Sequence, residues 1–355
     1  MQSSSLLHNL IDIFIKIDYK ELSTTKERIY IMSHELEMIN GQAQMAYAKR
    51  NEMDVPWHGL GVAVDGDLTP LQMLEAAGLD WRVNTQPCFT MIDDKRVKIG
   101  KQALIRDRDN KVLDIISDDW KPMQNEDAFK FFNEFVASGD MTMETAGSLK
   151  DGKIVWALAA VKESFELFGG KDKVDAYLHF TNPHSYGQSI DVRFTSIRVV
   201  CANTLTASLN KQSKNMVKVS HRREFNADEV KETMGIAKEK LQLYKEAATF
   251  LSQKRYKNED IVEYFARVFP VLSSKADPRK DLSKSAGLAL SVMDTQPGAE
   301  LGEGTWWQAF NATTYCVDHL IGRSADTRLQ SAWYGTNSKL KIKALDLALE
   351  MADAA

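Results

Sequence analysis

Apolar and polar residues alternate with different periods in the two halves of this chain. Between Trp81 and about residue 200, short runs alternate apolar and polar positions, as in a β-strand with one buried face. Beyond residue 225, apolar residues recur every three or four positions, which is typical of an amphipathic helix. The pattern predicts an α+β fold with an antiparallel sheet core and a helical C-terminal region.

The predicted strands fall into two sets. The first set is WRVNTQPCFTMI, RVKIGKQALIRD and KVLDIIS, separated by DDK and RDNK turns and followed by the helical pattern of EDAFKFFNEFVA. The second set is MTMETAGSL, KIVWALAAVK and VDAYLHFTN, followed by the extended run SIDVRFTSIRVV and by ANTLTASLN, which fits a short helix. The order predicts a core built from two units, each with three strands and a helix.

Four helices are predicted after this core. One begins after an Asn226 cap and extends to about Gln253. The others are NEDIVEYFARVF, TWWQAFNATTYCVDHLI and SKLKIKALDLALEMA, and the Ser- and Lys-rich stretch SSKADPRKDLSKS is predicted to be an exposed loop. We therefore divide the chain into an α+β core domain over 32–225 and a helical C-terminal region over 226–355.

Residues 1–31 form a predicted N-terminal extension. Met32 opens MSHELEMIN, a plausible protein start, so 1–31 is either a translated extension or a misassigned start. The run LLHNLIDIFIKI contains polar side chains and has no basic leader, unlike a signal peptide. We expect truncation to Met32 to change stability by less than about 1 kcal/mol.

Bulk composition restricts the classes of function. The 355 residues have a formal net charge of −4, and no run approaches the length of a membrane span. Three widely spaced cysteines, Cys88, Cys201 and Cys316, offer neither a disulfide framework nor zinc-ligand spacing. These features predict a cytoplasmic protein with no membrane partner, no cofactor and no metal.

The sequence PWHGLGV at 56–62 combines turn-forming and anchoring residues. Pro56 restricts the entry to a turn, and Gly59 and Gly61 allow backbone angles or close approaches that other residues resist. We interpret the stretch as a turn that docks at the edge of the core through Trp57. His58 is a weaker functional candidate.

Motifs of catalysis are largely missing. No Walker loop or G-x-S-x-G elbow occurs. His179, His184 and Asp191 form a conceivable metal trio, but Pro183 prevents a regular helix from presenting both histidines, and a strand ending in an Asn-Pro turn is the favoured interpretation. No catalytic residue is predicted.

The most unusual feature is a stretch without acidic residues. No Asp or Glu occurs from Val192 to Arg223, where average composition would give about four. The stretch contains seven basic residues: Arg193, Arg198, Lys211, Lys214, Lys218, Arg222 and Arg223. Such a run is typical of a phosphate-binding surface, and a solvated surface hairpin is the alternative.

Aromatic residues lie beside this basic run. Bases of single-stranded nucleic acids stack on aromatic rings without sequence preference. Tyr186 and Phe194 are therefore the candidate stacking residues, and strand alternation places Phe194 on the opposite face from Arg193.

Three stretches resemble a known family: PWHGLGV, RVVCANTL at 198–205, and the tail from Trp306 to Gly335. Together they are similar to the phage/plasmid-like protein family, a domain of unknown function found in bacteriophages, plasmids and cryptic prophages. The resemblance covers roughly residues 32–352. It implies an origin in a mobile element and carries over no catalytic residues.

The leading hypothesis is a non-enzymatic protein of phage or plasmid DNA metabolism that binds, and could anneal, single-stranded DNA. Its order of strands and helix is similar to that of phage annealing recombinases, an analogy at the level of fold. The first alternative is a phage structural or host-takeover protein that acts through protein contacts, with a possible homo-oligomer. A metal-dependent hydrolase is the third.

Overall fold

A computed structural model describes residues 36–49, 60–198, 203–205, 216–219, 221, 227–271, 281–322, 331 and 335–354. Its strands are β1 (Met38–Ile39), β2 (Gln42–Ala43), β3 (Met45–Lys49), β4 (Val62–Asp65), β5 (Val83–Ile92), β6 (Lys95–Arg106), β7 (Val112–Ser117), β8 (Met141–Leu149), β9 (Ile154–Leu167), β10 (Asp172–Pro183), β11 (Ile190–Arg198), β12 (Asn203–Leu205) and β13 (Met216–Val219). The helices are α1 (Pro70–Ala76), α2 (Asn125–Lys130), α3 (Asn133–Ala137), α4 (Ala227–Gln253), α5 (Asn258–Val268), α6 (Lys284–Val292), α7 (Trp306–Tyr315) and α8 (Thr336–Ala354). A 3-10 turn spans Ala299–Gly302, and a π-helical turn at Cys316–Leu320 continues α7.

The larger sheet has eight strands in the described part of the chain. Its order is β12-β11-β10-β9-β8-β3-β4, and β13 also pairs with β11. Neighbouring strands are antiparallel except β3 and β4, which are parallel. The long central strands β9 and β10 therefore form the framework on which the remaining elements pack.

The smaller sheet is a three-stranded meander, β5-β6-β7. Its first hairpin turns at Asp93 and Asp94, which both adopt positive φ angles of 45° and 58°. Positive φ at both central residues is characteristic of a type I′ turn, whose twist matches that of the flanking strands. The DDK turn predicted from the sequence is confirmed here.

The two faces of the larger sheet pack against different partners. One face contributes Val155, Phe180 and Val192 to a core that also contains Phe129 and Phe132 of the segment around α2 and α3. The opposite face carries a smaller cluster: Leu36, Ala43, Met45, Leu149, Ile154, Trp156 and Leu158. Burial on both faces accounts for the apolar runs in the central strands.

The C-terminal helices pack on the far end of the same sheet. Phe165 of β9 and Val174 of β10 share a buried cluster with Tyr244 of α4 and Trp307 of α7. The Phe165 and Tyr244 rings are 5.7 Å apart, and the Trp307 indole N–H donates to a carboxylate oxygen of buried Asp172 at 2.8 Å. Sheet and helices are thus joined through a continuous apolar core.

The α+β class and the helical C-terminal part are confirmed. Helices α4, α5, α7 and α8 occur where the periodicity predicts them. The prediction for ANTLTASLN was wrong in its described part, because Asn203–Leu205 pairs with β11 as a strand. The Asn226 cap, the Pro56–Gly59 part of the docking turn and most of SSKADPRKDLSKS lie outside the described residues.

Gly61 has the conformation expected at the docking turn. Its φ is +103°, and a β-carbon there would lie 3.1 Å from the Met45 carbonyl oxygen. Gly61 directly precedes β4, which pairs with β3 at the edge of the sheet. The glycine is therefore needed both for its backbone angle and for close approach.

None of the helices described here combines the length and the apolar character that crossing a membrane requires.

Candidate functional site

Arg193, a predicted phosphate contact, is engaged inside the protein. Its guanidinium donates two hydrogen bonds to Asp191 on the same strand, both at 2.6 Å, and both side chains are buried. A bidentate pair of this kind neutralises the charge that a phosphate would need. We therefore remove Arg193 from the candidate interface.

His179 lies opposite Arg193 on the neighbouring strand. Burial, followed by the Arg193 charge, lowers the pKa of His179 well below its ordinary value. His179 is therefore a neutral residue of the sheet interior at physiological pH.

Phe194 is also a core residue. Only 4% of it is exposed, and it belongs to the cluster shared by the sheet and the C-terminal helices. Its ring cannot receive a base without leaving that cluster. The alternation of side chains along the strand correctly predicted that Phe194 and Arg193 lie on opposite faces of β11. Both residues are buried, so neither face of β11 is open to solvent at this point.

Tyr186 is the predicted stacking residue that remains accessible. It is 40% exposed in the turn between β10 and β11, and its backbone N–H donates to Asp114 of β7 at 2.9 Å. The ammonium of Lys101 on β6 lies 5.1 Å from the centroid of its ring. The turn is thereby attached to the smaller sheet, with an aromatic ring and a cation side by side.

The other basic residues are only partly described. Arg198 is the last residue of β11. Lys218 lies in β13, and in this strand Val219 pairs with Ile190, which is close in sequence to Tyr186. The remaining predicted contacts lie outside the described residues: Lys211, Lys214, Arg222 and Arg223. The pairing of β13 with the start of β11 therefore brings Lys218, one residue of the basic run, near the turn that contains Tyr186.

Sequence reasoning missed a second basic and aromatic surface, the hairpin formed by β5 and β6. Phe89 pairs with Lys98 and Met91 pairs with Arg96, so these four side chains share one face. The Arg96 guanidinium carbon lies 3.7 Å from the centroid of the Phe89 ring, which is a cation–π contact.

This hairpin is solvent-exposed on both of its faces. Every residue from Phe89 to Gly100 is exposed, including Met91 at 63% and Ile92 at 53%. Two exposed faces mean that the ribbon projects from the body of the protein. Clustered exposed apolar groups of this kind usually mark an interaction surface.

The trio suggested for a hydrolase is not assembled. Asp191 is bonded to Arg193, and His184 lies beyond the end of β10 with its imidazole 2.9 Å from Asn125. Within the described ranges, no group of three His, Cys, Asp or Glu side chains is arranged to hold a metal. The strand that ends at Asn182-Pro183 is confirmed.

His184 is instead part of a buried polar cluster beside the loop that precedes α2. Its ring lies 5.0 Å from that of Trp81, and burial, with smaller contributions from the charges of His221 and Arg106, lowers its pKa to about 3. His221 stacks on Trp120 at 4.1 Å between centroids, and burial lowers its pKa to about 4. Both imidazoles are therefore neutral at physiological pH.

The fold and these surfaces define an α+β protein with a projecting β-hairpin and a buried pair of histidines. Residues 112–333 match the family model described as Domain of unknown function (DUF932), and because this match covers more than half of the chain, the protein belongs to that family. The matched region includes RVVCANTL and almost all of the tail from Trp306, whereas PWHGLGV and the β5–β6 hairpin precede it. Comparison with curated proteins and with solved structures gives no match.

Proposed function

We propose that this protein binds single-stranded DNA in the DNA metabolism of a phage or plasmid, without catalysing a reaction. The β5–β6 hairpin and Tyr186 would form the contact surface, extended by the basic run from Arg198 to Arg223. The observation that carries the proposal is the exposed hairpin face on which Phe89 and Met91 alternate with Arg96 and Lys98.

Each part of this face has a role in binding a single strand. Arg96 and Lys98 would neutralise backbone phosphates, and the Phe89 and Tyr186 rings would stack bases. Lys101, beside the Tyr186 ring, would provide a cation where the hairpin meets the body. Mobile-element origin rests on the resemblance of the three sequence motifs.

Fluorescence anisotropy with a labelled oligo-dT of about thirty nucleotides, at several salt concentrations, tests the proposal. Arg96→Gln and Lys98→Gln should each weaken binding and reduce the logarithmic salt slope by roughly 0.7. Lys339→Gln is the matched control, because Lys339 is an exposed cation on α8, distant in sequence from the hairpin. An unchanged slope in both hairpin variants would show that the hairpin does not contact phosphate.

Stacking has a different effect on the same assay. Phe89→Ala and Tyr186→Ala should weaken binding by about 1–3 kcal/mol per base, roughly 5- to 150-fold, and leave the salt slope unchanged. Leu320→Ala, which removes an exposed apolar side chain from the π-helical turn, is the control. The same titration with oligo-U distinguishes DNA from RNA.

A protein-binding role is the second candidate, and the other face of the hairpin favours it. That face carries Ile92 and Val97, and β7 adds exposed Val112 and Ile115. A partner chain or a second copy could cover these groups, as in a phage structural or host-takeover protein. Absence of salt-sensitive nucleic-acid binding at micromolar protein, together with a concentration-dependent mass in light scattering, would favour this function.

A further inference from the structure

The buried histidines His184 and His221 are both attached to the segment from Trp120 to Asn125, which leads into α2. The Lys121 N–H donates to the His221 carbonyl at 2.7 Å, and the Lys121 carbonyl lies 3.1 Å from His221 Nδ1. Four residues further along the chain, at the start of α2, Asn125 Oδ1 lies 2.9 Å from His184 Nε2. One short segment therefore fixes the orientation of both imidazoles.

The hydrogen-bond partners determine which ring nitrogen carries the proton. A carbonyl oxygen can only accept, so His221 Nδ1 donates to Lys121 and His221 Nε2 has a free lone pair. The Asn125 amide nitrogen donates to the Leu79 and Trp81 carbonyls at 3.0 and 3.4 Å, which directs its oxygen towards His184. His184 Nε2 therefore donates to Asn125, and Nδ1 has the lone pair.

A third lone-pair donor lies in the same cluster. The Asn182 amide nitrogen donates to the Met123 carbonyl at 3.1 Å and to Asn125 Oδ1 at 3.3 Å. Three buried atoms, Asn182 Oδ1, His184 Nδ1 and His221 Nε2, have no hydrogen-bond partner among the described residues. Leaving one such acceptor unpaired costs about 1–3 kcal/mol, so an occupant is expected.

We propose that His184 Nδ1 and His221 Nε2, with Asn182 Oδ1, bind a divalent transition-metal ion of the zinc class. Imidazole nitrogen is a preferred ligand of these ions. Metal-binding histidines usually donate their other N–H to an oxygen acceptor, as both of these do. The proposal places these three acceptors around one position, which a single water molecule could not satisfy because it donates only two hydrogen bonds.

The electrostatic surroundings tolerate a cation. Arg106 is a positive charge that acts on His184, and its guanidinium is paired with Glu37 at 2.6 Å and Asp109 at 2.7 Å. Two carboxylates thus offset one guanidinium. The indole N–H of Trp81, whose ring lies beside His184, also has no partner in the described part of the chain, and it would donate to a water or anion on the ion.

Cobalt titration of the full-length, metal-stripped protein tests this site. Co²⁺ should bind at one equivalent with visible absorption bands, raise the melting temperature, and be displaced by Zn²⁺. His184→Gln and His221→Gln should each weaken binding by at least about tenfold. His319→Gln, which alters a histidine packed on Tyr315 in the π-helical turn, should bind as the wild type does.

A third variant separates loss of metal binding from loss of folding. Asn182→Asp places a carboxylate, the better ligand, at the third position but loses the hydrogen bonds of the amide to Met123 and Asn125. The variant should therefore melt at a lower temperature than the wild type without metal and gain more melting temperature from Co²⁺. The proposal is overturned if Co²⁺ and Zn²⁺ fail to bind wild-type protein, or if the histidine and Asn182 variants bind with wild-type affinity. The lone pairs would then be satisfied by ordered water.

Discussion

The variant Arg193→Met tests whether Arg193 stabilises the fold or contacts a nucleic acid. The guanidinium makes two 2.6 Å hydrogen bonds to Asp191, and both side chains are more than nine-tenths buried. Removing one member of a buried pair leaves the other charge uncompensated, which costs about 3–5 kcal/mol. For a chain of this size, this loss corresponds to a drop in melting temperature of roughly 4–7 °C.

The double variant Asp191→Leu/Arg193→Met gives the matched control. Because it removes both charges and keeps apolar volume, it should recover most of the stability lost in Arg193→Met. Urea unfolding followed by tryptophan fluorescence measures each free energy, and the two single variants complete the cycle.

The salt dependence of DNA binding gives the result that would refute a purely structural role for Arg193. If Arg193 is committed to Asp191, the double variant should keep the wild-type slope. A slope reduced by about 0.7, with stability unchanged in Arg193→Met, would mean that Arg193 contacts phosphate and that the pair is unimportant.

Three further predictions concern stability. Because the folded-state pKa of His179 lies well below 6.5, the unfolded chain binds a proton first as pH falls, and folding should lose stability from this residue between pH 7.5 and 5, by at most about 2 kcal/mol. Urea titrations at both pH values should show a smaller loss in His179→Gln. Lys341→Met should cost about 3–5 kcal/mol in urea unfolding, because it leaves buried Asp318 without its 2.7 Å partner, and a loss below 1 kcal/mol would show that the pair is dispensable. Gly61→Ala should lower the free energy of unfolding by about 1–3 kcal/mol, because φ is +103° and the Met45 carbonyl is close. Gly66→Ala is the control, since φ is also positive there but no atom lies within 4 Å; equal melting temperatures of the two variants would show that the close approach contributes nothing.

Local periodicity predicted the elements with strong patterns and missed those without one. The predicted end of α4 at Gln253 is confirmed, because its apolar spacing persists over many turns. Helix α1 was missed because it is only seven residues long. Its capping box was nevertheless readable: Thr69 accepts from the Gln72 backbone, and the Gln72 side chain accepts from the Thr69 N–H.

The candidate site was harder to predict, because exposure depends on tertiary packing. Absence of acidic residues around β11 suggested a charged surface, yet Arg193 and Phe194 are buried on opposite faces. A strand covered on both sides also avoids unpaired carboxylates, so acid depletion there has a structural cause. The β5–β6 hairpin has the same alternation as a half-buried strand, and nothing local shows that both of its faces meet solvent.

The histidine cluster could not be predicted from the local sequence either. His184 and His221 are separated by 37 residues, and neither lies in a ligand-spacing motif. They are brought together because the segment from Trp120 to Asn125 bonds to both. Only the tertiary fold could reveal that their lone pairs are left without partners.

The turn after β10 links the two proposed sites. His184 turns inward to the buried cluster, whereas Tyr186, two residues later, turns outward beside Lys101. A metal ion that fixes His184 would also restrict the backbone that positions the Tyr186 ring, so the two binding reactions should be coupled. Any such coupling must be reciprocal: if Zn²⁺ tightens oligo-dT binding by a given factor, oligo-dT must tighten Zn²⁺ binding by the same factor. Measuring both affinities therefore tests whether the turn from His184 to Gly187 is rigid enough to transmit binding at one site to the other. Equal affinities with and without the second ligand would show two independent sites.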